Sequence, residues 1–184
     1  MPADRRAVVR DLFGEPTKQA DTRIAAKAQQ SESTLLGRYA EFMVCAYLSR
    51  LGHTVHHVDA AGFDLILEYE NASYRIDVKS TSHTYIGPRK EMAFWNVHKN
   101  YRIELGTEHG TEQGKRRNRR MLLPDDCDML ALFHNSFSTV VYYPVTKPLK
   151  QVRLPLSQVR NTDYGEASLK AAVIAKSRSG VAWR

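Results

Sequence analysis

The chain has 184 residues and a formal net charge of +7, with 27 lysines and arginines against 20 aspartates and glutamates. That length suits one domain burying roughly 70% of its unfolded surface, which needs no staple to hold it. Cys45 and Cys127 form no CxxC pattern, no apolar run reaches the roughly 20 residues of a membrane span, and the N-terminus lacks a signal peptide's apolar region. The expectation is a reduced, cytoplasmic protein with no membrane partner, whose charge favours a polyanion.

Residues 1–30 read as a basic arm, either solvated or contacting DNA. Ala7 to Phe13 is helix-permissive, Gly14-Glu15-Pro16 breaks it, and Ala20 to Gln30 is polar. Ser31 to Leu51 is the strongest helix pattern, capped by Ser31 or Ser33. Leu36, Tyr39, Ala40, Met43, Val44, Tyr47 and Leu51 recur at helical spacing, and Gly52 stops the run. Glu41 interrupts that apolar run, and spacing alone leaves open whether it is a solvated rim residue or a functional acid. His53 to Asp59 reads as a strand, in which neighbouring His56 and His57 face opposite sides and do not readily share a ligand.

Phe63 to Tyr69 and Tyr74 to Lys79 alternate as two strands around the turn Glu70-Asn71-Ala72-Ser73. Tyr74, Ile76 and Val78 share one face, and Arg75, Asp77 and Lys79 the other. A hairpin register can bring Asp64 beside Asp77 and Lys79. Two carboxylates and a lysine at one sheet end suit Mg²⁺, which is held by one or two carboxylates plus substrate phosphate, and Mn²⁺ can substitute. Ser80, Thr81 and Ser82 either finish the strand or touch phosphate. Met92 to Val97 has the content of another strand.

Leu105 to Arg120 reads as a glycine-rich loop ending in a basic run of Lys115, Arg116, Arg117, Arg119 and Arg120, which is either a solvated face or a phosphate clamp. Pro124-Asp125-Asp126-Cys127-Asp128 is a turn in which Asp126 and Asp128 are turn-formers. Met129 to His134 and Thr139 to Tyr143 are strands joined at Asn135-Ser136 and stopped by Pro144. Val152 to Leu156 reads as an edge strand, Ala167 to Ala175 as a last helix, and Ser177 to Arg184 as a basic tail.

Asp64, then Asp77-Val78-Lys79, resembles the core of the PD-(D/E)xK nuclease superfamily, with Phe63 where the family has proline. Gly37-Arg38-Tyr39-Ala40-Glu41 is similar to the family's helix motif, and residues 125–145 resemble the second half of its group I intron homing endonuclease branch. The resemblance implies an α/β, restriction-endonuclease-like core at residues 31–145, with a central mixed β-sheet flanked by helices. Residues 1–30 become an arm and 146–184 a C-terminal extension. It implies Mg²⁺-dependent hydrolysis of DNA phosphodiesters. Asp64, Asp77 and the Val78 carbonyl hold metal, Glu41 holds a second ion or a metal-bound water, and Lys79 orients or deprotonates water or offsets phosphate charge. The basic run then becomes a phosphate clamp. A homing-type duplex endonuclease comes first, a Holliday junction resolvase second, and a restriction or repair enzyme third. A catalytically inactive DNA-binding module is the reading from another class. One site cuts one strand, so paired cuts in duplex or branched DNA lead to the expectation of a homodimer.

Overall fold

The computed structural model describes residues 18–58, 62–88, 90–102 and 117–179. The chain divides into two compact units, Met1–Leu36 and Gly37–Arg184. Helix α1 runs Lys18–Arg50, 33 residues, and the described part of the first unit is its leading portion. The start expected at Ser31 is therefore too late. Residues 18–30 hold neither proline nor glycine and include Ala20, Ala25, Ala26 and Ala28, so nothing stops the helix from propagating through them. Ser31 and Ser33 lie inside the helix, away from its start.

In the second unit α1 buries Ala40, Val44 and Leu48, a stripe four residues apart. Leu36 and Tyr39, expected on the inner face, are exposed. Gly37 has open space around it, and Ala40 makes the close contact. Gly52, at φ 84, ends the helix in the left-handed region, while the His53 amide returns to the Leu48 carbonyl at 3.1 Å.

Strands β1 (Thr54–His57), β2 (Leu65–Tyr69), β3 (Ala72–Thr81), β8 (Met129–His134) and β9 (Thr139–Pro144) form the central sheet in the order β1-β2-β3-β8-β9. The β3–β8 pair is parallel and the others are antiparallel, so the sheet is mixed. The β2–β3 hairpin turns through Glu70 and Asn71, both at positive φ (48 and 64), the two-residue geometry that matches strand twist. All six residues of β8 are buried, as its unbroken apolar run requires of a strand covered on both faces.

One face of this sheet takes α1 and α3 (Tyr164–Arg178), where Val44, Leu48, Leu169 and Ala172 pack on Leu67, Ile76, Ala131 and Tyr142. At Gly165 any Cβ would lie 3.0 Å from the Val140 carbonyl, so glycine lets α3 approach β9 closely. The other face takes a three-stranded sheet ordered β10-β5-β4, from β10 (Gln151–Pro155), β5 (Glu91–Asn96) and β4 (Thr84–Ile86), together with α2 (Leu156–Arg160). Trp95 is the largest side chain of that layer and donates its indole N–H to the Phe133 carbonyl at 3.1 Å. The fold is thus α/β with a central mixed sheet of five strands, flanked by two long helices on one face and a small sheet with a short helix on the other. The extension expected after residue 145 is part of the packed body. Leu149, Val152, Leu156 and Val159 fill one core and Leu169, Ala172 and Val173 the other.

A third sheet pairs β6 (Lys99–Arg102) with β7 (Arg117–Arg120) in an antiparallel ribbon. The second half of the basic run is therefore strand where a loop was expected. Lys115 and Arg116 lie outside the described residues.

Asp126 turns the chain as expected, accepting the Leu123 amide at 2.7 Å. Asp128 does more than form a turn. Its carboxylate is buried and meets Arg75 Nε at 3.2 Å, the Arg75 amide at 2.8 Å and Lys176 Nζ at 3.2 Å, which ties β3 to α3. Replacing Asp128 by Ala leaves two cations without their acid and is expected to cost about 3–5 kcal/mol, measured by urea unfolding. A loss below about 1 kcal/mol, the range of surface ion pairs, would show that the network adds little.

Candidate active site

Residues 62–64 and the second half of β3 form the site. The last pair of the β2–β3 ladder is Leu65 with Ile76. One residue earlier the Asp64 amide still donates to the Ile76 carbonyl at 2.9 Å, and then the two chains part. β3 runs on beside β8, pairing Asp77 with Leu130 through Thr81 with His134. The Val78 amide on the freed edge is taken by Asp64 Oδ2 at 2.7 Å. A carboxylate thus replaces a missing strand, and this places Asp64 beside Asp77.

Val78 turns its side chain into the helix-side core, with Ile76 and Tyr74. Asp77 and Lys79 therefore face the opposite side together, as the alternation requires. Asp77 is 2% exposed. Lys79 Nζ lies 2.8 Å from its Oδ2, and Lys99 Nζ lies 2.7 Å from its Oδ1. Each oxygen of this buried carboxylate thus faces one ammonium. Lys99 also donates to the Gly62 carbonyl. Gly62 holds φ 122, a conformation that favours glycine, and it aims this carbonyl at the site.

Burial holds the Asp64 carboxyl above its ordinary 3.8, and the Asp77 charge, with a smaller push from Glu41, adds to it. The Val78 amide and Lys79 oppose the rise. Burial alone would lower the Lys79 ammonium, but Asp77 and then Asp64 outweigh it and the net shift is upward. The thiol of Cys127 is pushed up to about 12, by burial and then by Asp77, and stays protonated beside the site.

Glu41 stands at the border of this group. Its Oε2 is 2.8 Å from His57 Nε2 and 3.9 Å from Arg38 Nη1. The His57 ring stacks on Phe42, centroids 5.3 Å apart. His56 turns to Glu68 at 3.3 Å, so the two histidines do face different groups. Among the described residues no three His, Cys, Asp or Glu side chains come together tightly enough to hold a metal by themselves. Arg117 and Arg119 lie on β7. Arg120 is clasped by Asp126, with Nη1 to Oδ2 at 2.6 Å, and this holds the Asp126 carboxyl below its ordinary value.

Two residues of the site escaped the sequence reading. His57 was legible in principle, because a β1–β2 register sets it opposite Leu65, next to Asp64. Lys99 had no local signal, since it reaches Asp77 from a different sheet.

No family model matches the chain, and no curated protein matches it. Among solved structures, the chain is similar to a bacterial homing endonuclease, I-Ssp6803I, at 14% identity and a TM-score of 0.46. The overlap covers 66% of this chain and 76% of the other. An overlap this loose is compatible with many α/β sheets, so the chemistry rests on the residues themselves.

The raised Asp64 carboxyl fixes the sign of a pH effect. The folded state binds this proton more readily than the unfolded state, so ionised Asp64 costs stability at neutral pH. The cost fades as pH falls through the folded value towards 3.8. Asp64→Asn keeps an acceptor for Val78 and is expected to melt higher than wild type at pH 7, with the advantage shrinking towards pH 4. A lower midpoint at pH 7 would contradict the assigned electrostatics.

Proposed function

We propose that this protein is a divalent-metal-dependent DNA endonuclease of the PD-(D/E)xK kind, with a homing-type cut in duplex DNA as the first reading. The observation that carries the proposal is the meeting of Asp64, Asp77 and Lys79 where β2 parts from β3. A buried carboxylate, Asp77, and a half-buried one, Asp64, stand side by side and repel each other. This donor set fits Mg²⁺ or Mn²⁺, which need few protein oxygens when water and phosphate complete the shell.

Asp64 and Asp77 would hold the cation, with the Val78 carbonyl as a further donor. A bound divalent cation would neutralise the phosphodiester and make the attacking water more acidic. Lys79 stays protonated beside Asp77, which makes it a poor base. Its part is to donate towards the charge that grows on the phosphate oxygens. The water's proton then goes to a carboxylate, and we assign Glu41, oriented by His57. The β6–β7 ribbon supplies the grip on DNA. Its register sets Lys99 opposite Arg120 and Arg102 opposite Arg117, with no acid in either strand. A strand pair this basic is a footing for a polyanion. Paired cuts need two such sites, and a twofold homodimer provides them.

The test is cleavage of plasmid, linear duplex and a synthetic four-way junction, with Mg²⁺ and with excess EDTA. EDTA should abolish cleavage, and Asp77→Ala should lower the rate roughly a hundredfold or more, about 3 kcal/mol. Equal rates in EDTA would refute the metal reading. Paired nicks in the junction with the duplex left intact would replace the homing reading by a resolvase. Lys79→Met should lose cleavage while still binding DNA in a gel-shift titration, and full activity would remove Lys79 from the mechanism.

Replacing Arg117 and Arg119 by Ser should weaken binding to all DNA sequences alike. The slope of log K against log salt should fall by about 0.9 for each phosphate that the variant no longer neutralises. An unchanged slope would make the ribbon a solvated face.

A further inference from the structure

Asp77 is flanked by two lysines, and only Lys79 belongs to the motif. Lys99 comes from β6, the base of the ribbon. Its ammonium joins Asp77 Oδ1 at 2.7 Å to the carbonyl of Gly62, two residues before Asp64. A buried carboxylate oxygen and a backbone carbonyl are both ligands of the type a hard divalent cation uses. The lysine head therefore occupies a place where oxygen donors converge. Its side chain is 16% exposed, so the charge sits well out of water, and Coulombic contacts there are only partly screened. The ribbon that carries it is anchored on its other strand too, because Arg120, the ladder partner of Lys99, is clasped by Asp126.

We propose that Lys99 is a positioning residue that stands in for the metal. It holds the Asp77 and Gly62 oxygens together while no divalent cation is bound, competes with one for Asp77, and is drawn away when phosphates engage the ribbon. The proposal rests on the metal reading of the Asp64–Asp77 site. It makes metal and DNA binding mutually reinforcing, since each displaces the same lysine. A metal that entered without DNA would meet a carboxylate already neutralised.

The experiment is Mn²⁺ binding to the DNA-free protein, read by electron paramagnetic resonance and by calorimetry. Wild type is compared with Lys99→Met, which keeps the stem and removes the charge, and with Lys99→Arg, which keeps the charge. Lys99→Met should bind Mn²⁺ about tenfold or more tightly than wild type, and Lys99→Arg should stay near wild type. Equal or weaker binding in a folded Lys99→Met protein overturns the proposal. Wild type itself supplies a measurement that needs no variant, because Mg²⁺ titration should shift the Lys99 ammonium signal in ¹⁵N NMR. An unmoved signal at saturating metal overturns the proposal as well. If wild type and Lys99→Met both bind no Mn²⁺, with DNA or without, the metal reading fails and takes this one with it. Equal affinity in both proteins sinks the lysine alone.

Discussion

The hydrogen bond from the Val78 amide to the Asp64 carboxylate organises the site. When β2 turns away from β3 it leaves a backbone donor on a partly buried strand edge, and such donors must be satisfied. A neighbouring strand would normally do this with a carbonyl. Here a charged side chain does it, and the charge cannot be taken away without weakening the bond. Asp64 is thereby held against Asp77, whose own direction is set by the alternation of β3. The parallel partner β8 fixes β3 from its other side, so the two acids meet at a rigid sheet end.

That meeting is electrostatically uneasy, and the unease is what marks it. The same molecule contains a second buried acid, Asp128, handled in the opposite way. Both of its oxygens are engaged by Arg75 and Lys176, and no polar atom of it is left over. Asp77 also has two cations, one at each oxygen, yet a second acid stands beside it. Asp64 is held above its ordinary ionisation range, largely by burial and by Asp77. A network built for stability completes its contacts. Two acids held together give up some stability instead. The contrast separates two clusters that share residue types and depth.

Glu41 shows how a helix residue is recruited to a sheet-based site. The Ala40–Val44–Leu48 stripe seats α1 on the sheet, and Glu41, the next residue after Ala40, then falls at the rim beside β1. His57 meets it there. The acid is positioned by packing one residue away, and it needs no specific backbone feature of its own.

Several parts of this protein were readable from local pattern alone. Period-two alternation in residues 74–79 put Asp77 and Lys79 on one face, because side chains of a strand must alternate. The unbroken apolar run 129–133 marked the central strand for the same steric reason. What local pattern could not carry was anything decided by long-range packing. Residues 18–30 carry no breaker, but helix continuation depends on the whole run, so Ser31 looked like a cap and is not one. Residues after 145 read as an appendage because their partners, such as Trp95 and Leu48, lie far back in the chain. Lys99 reaches Asp77 across 22 positions and from another sheet. No spacing rule links two strands that never pair. The chain could announce the two acids and the motif lysine, since one strand and one turn define them. Only the tertiary structure could place the second lysine, because its position is set by how separate layers dock.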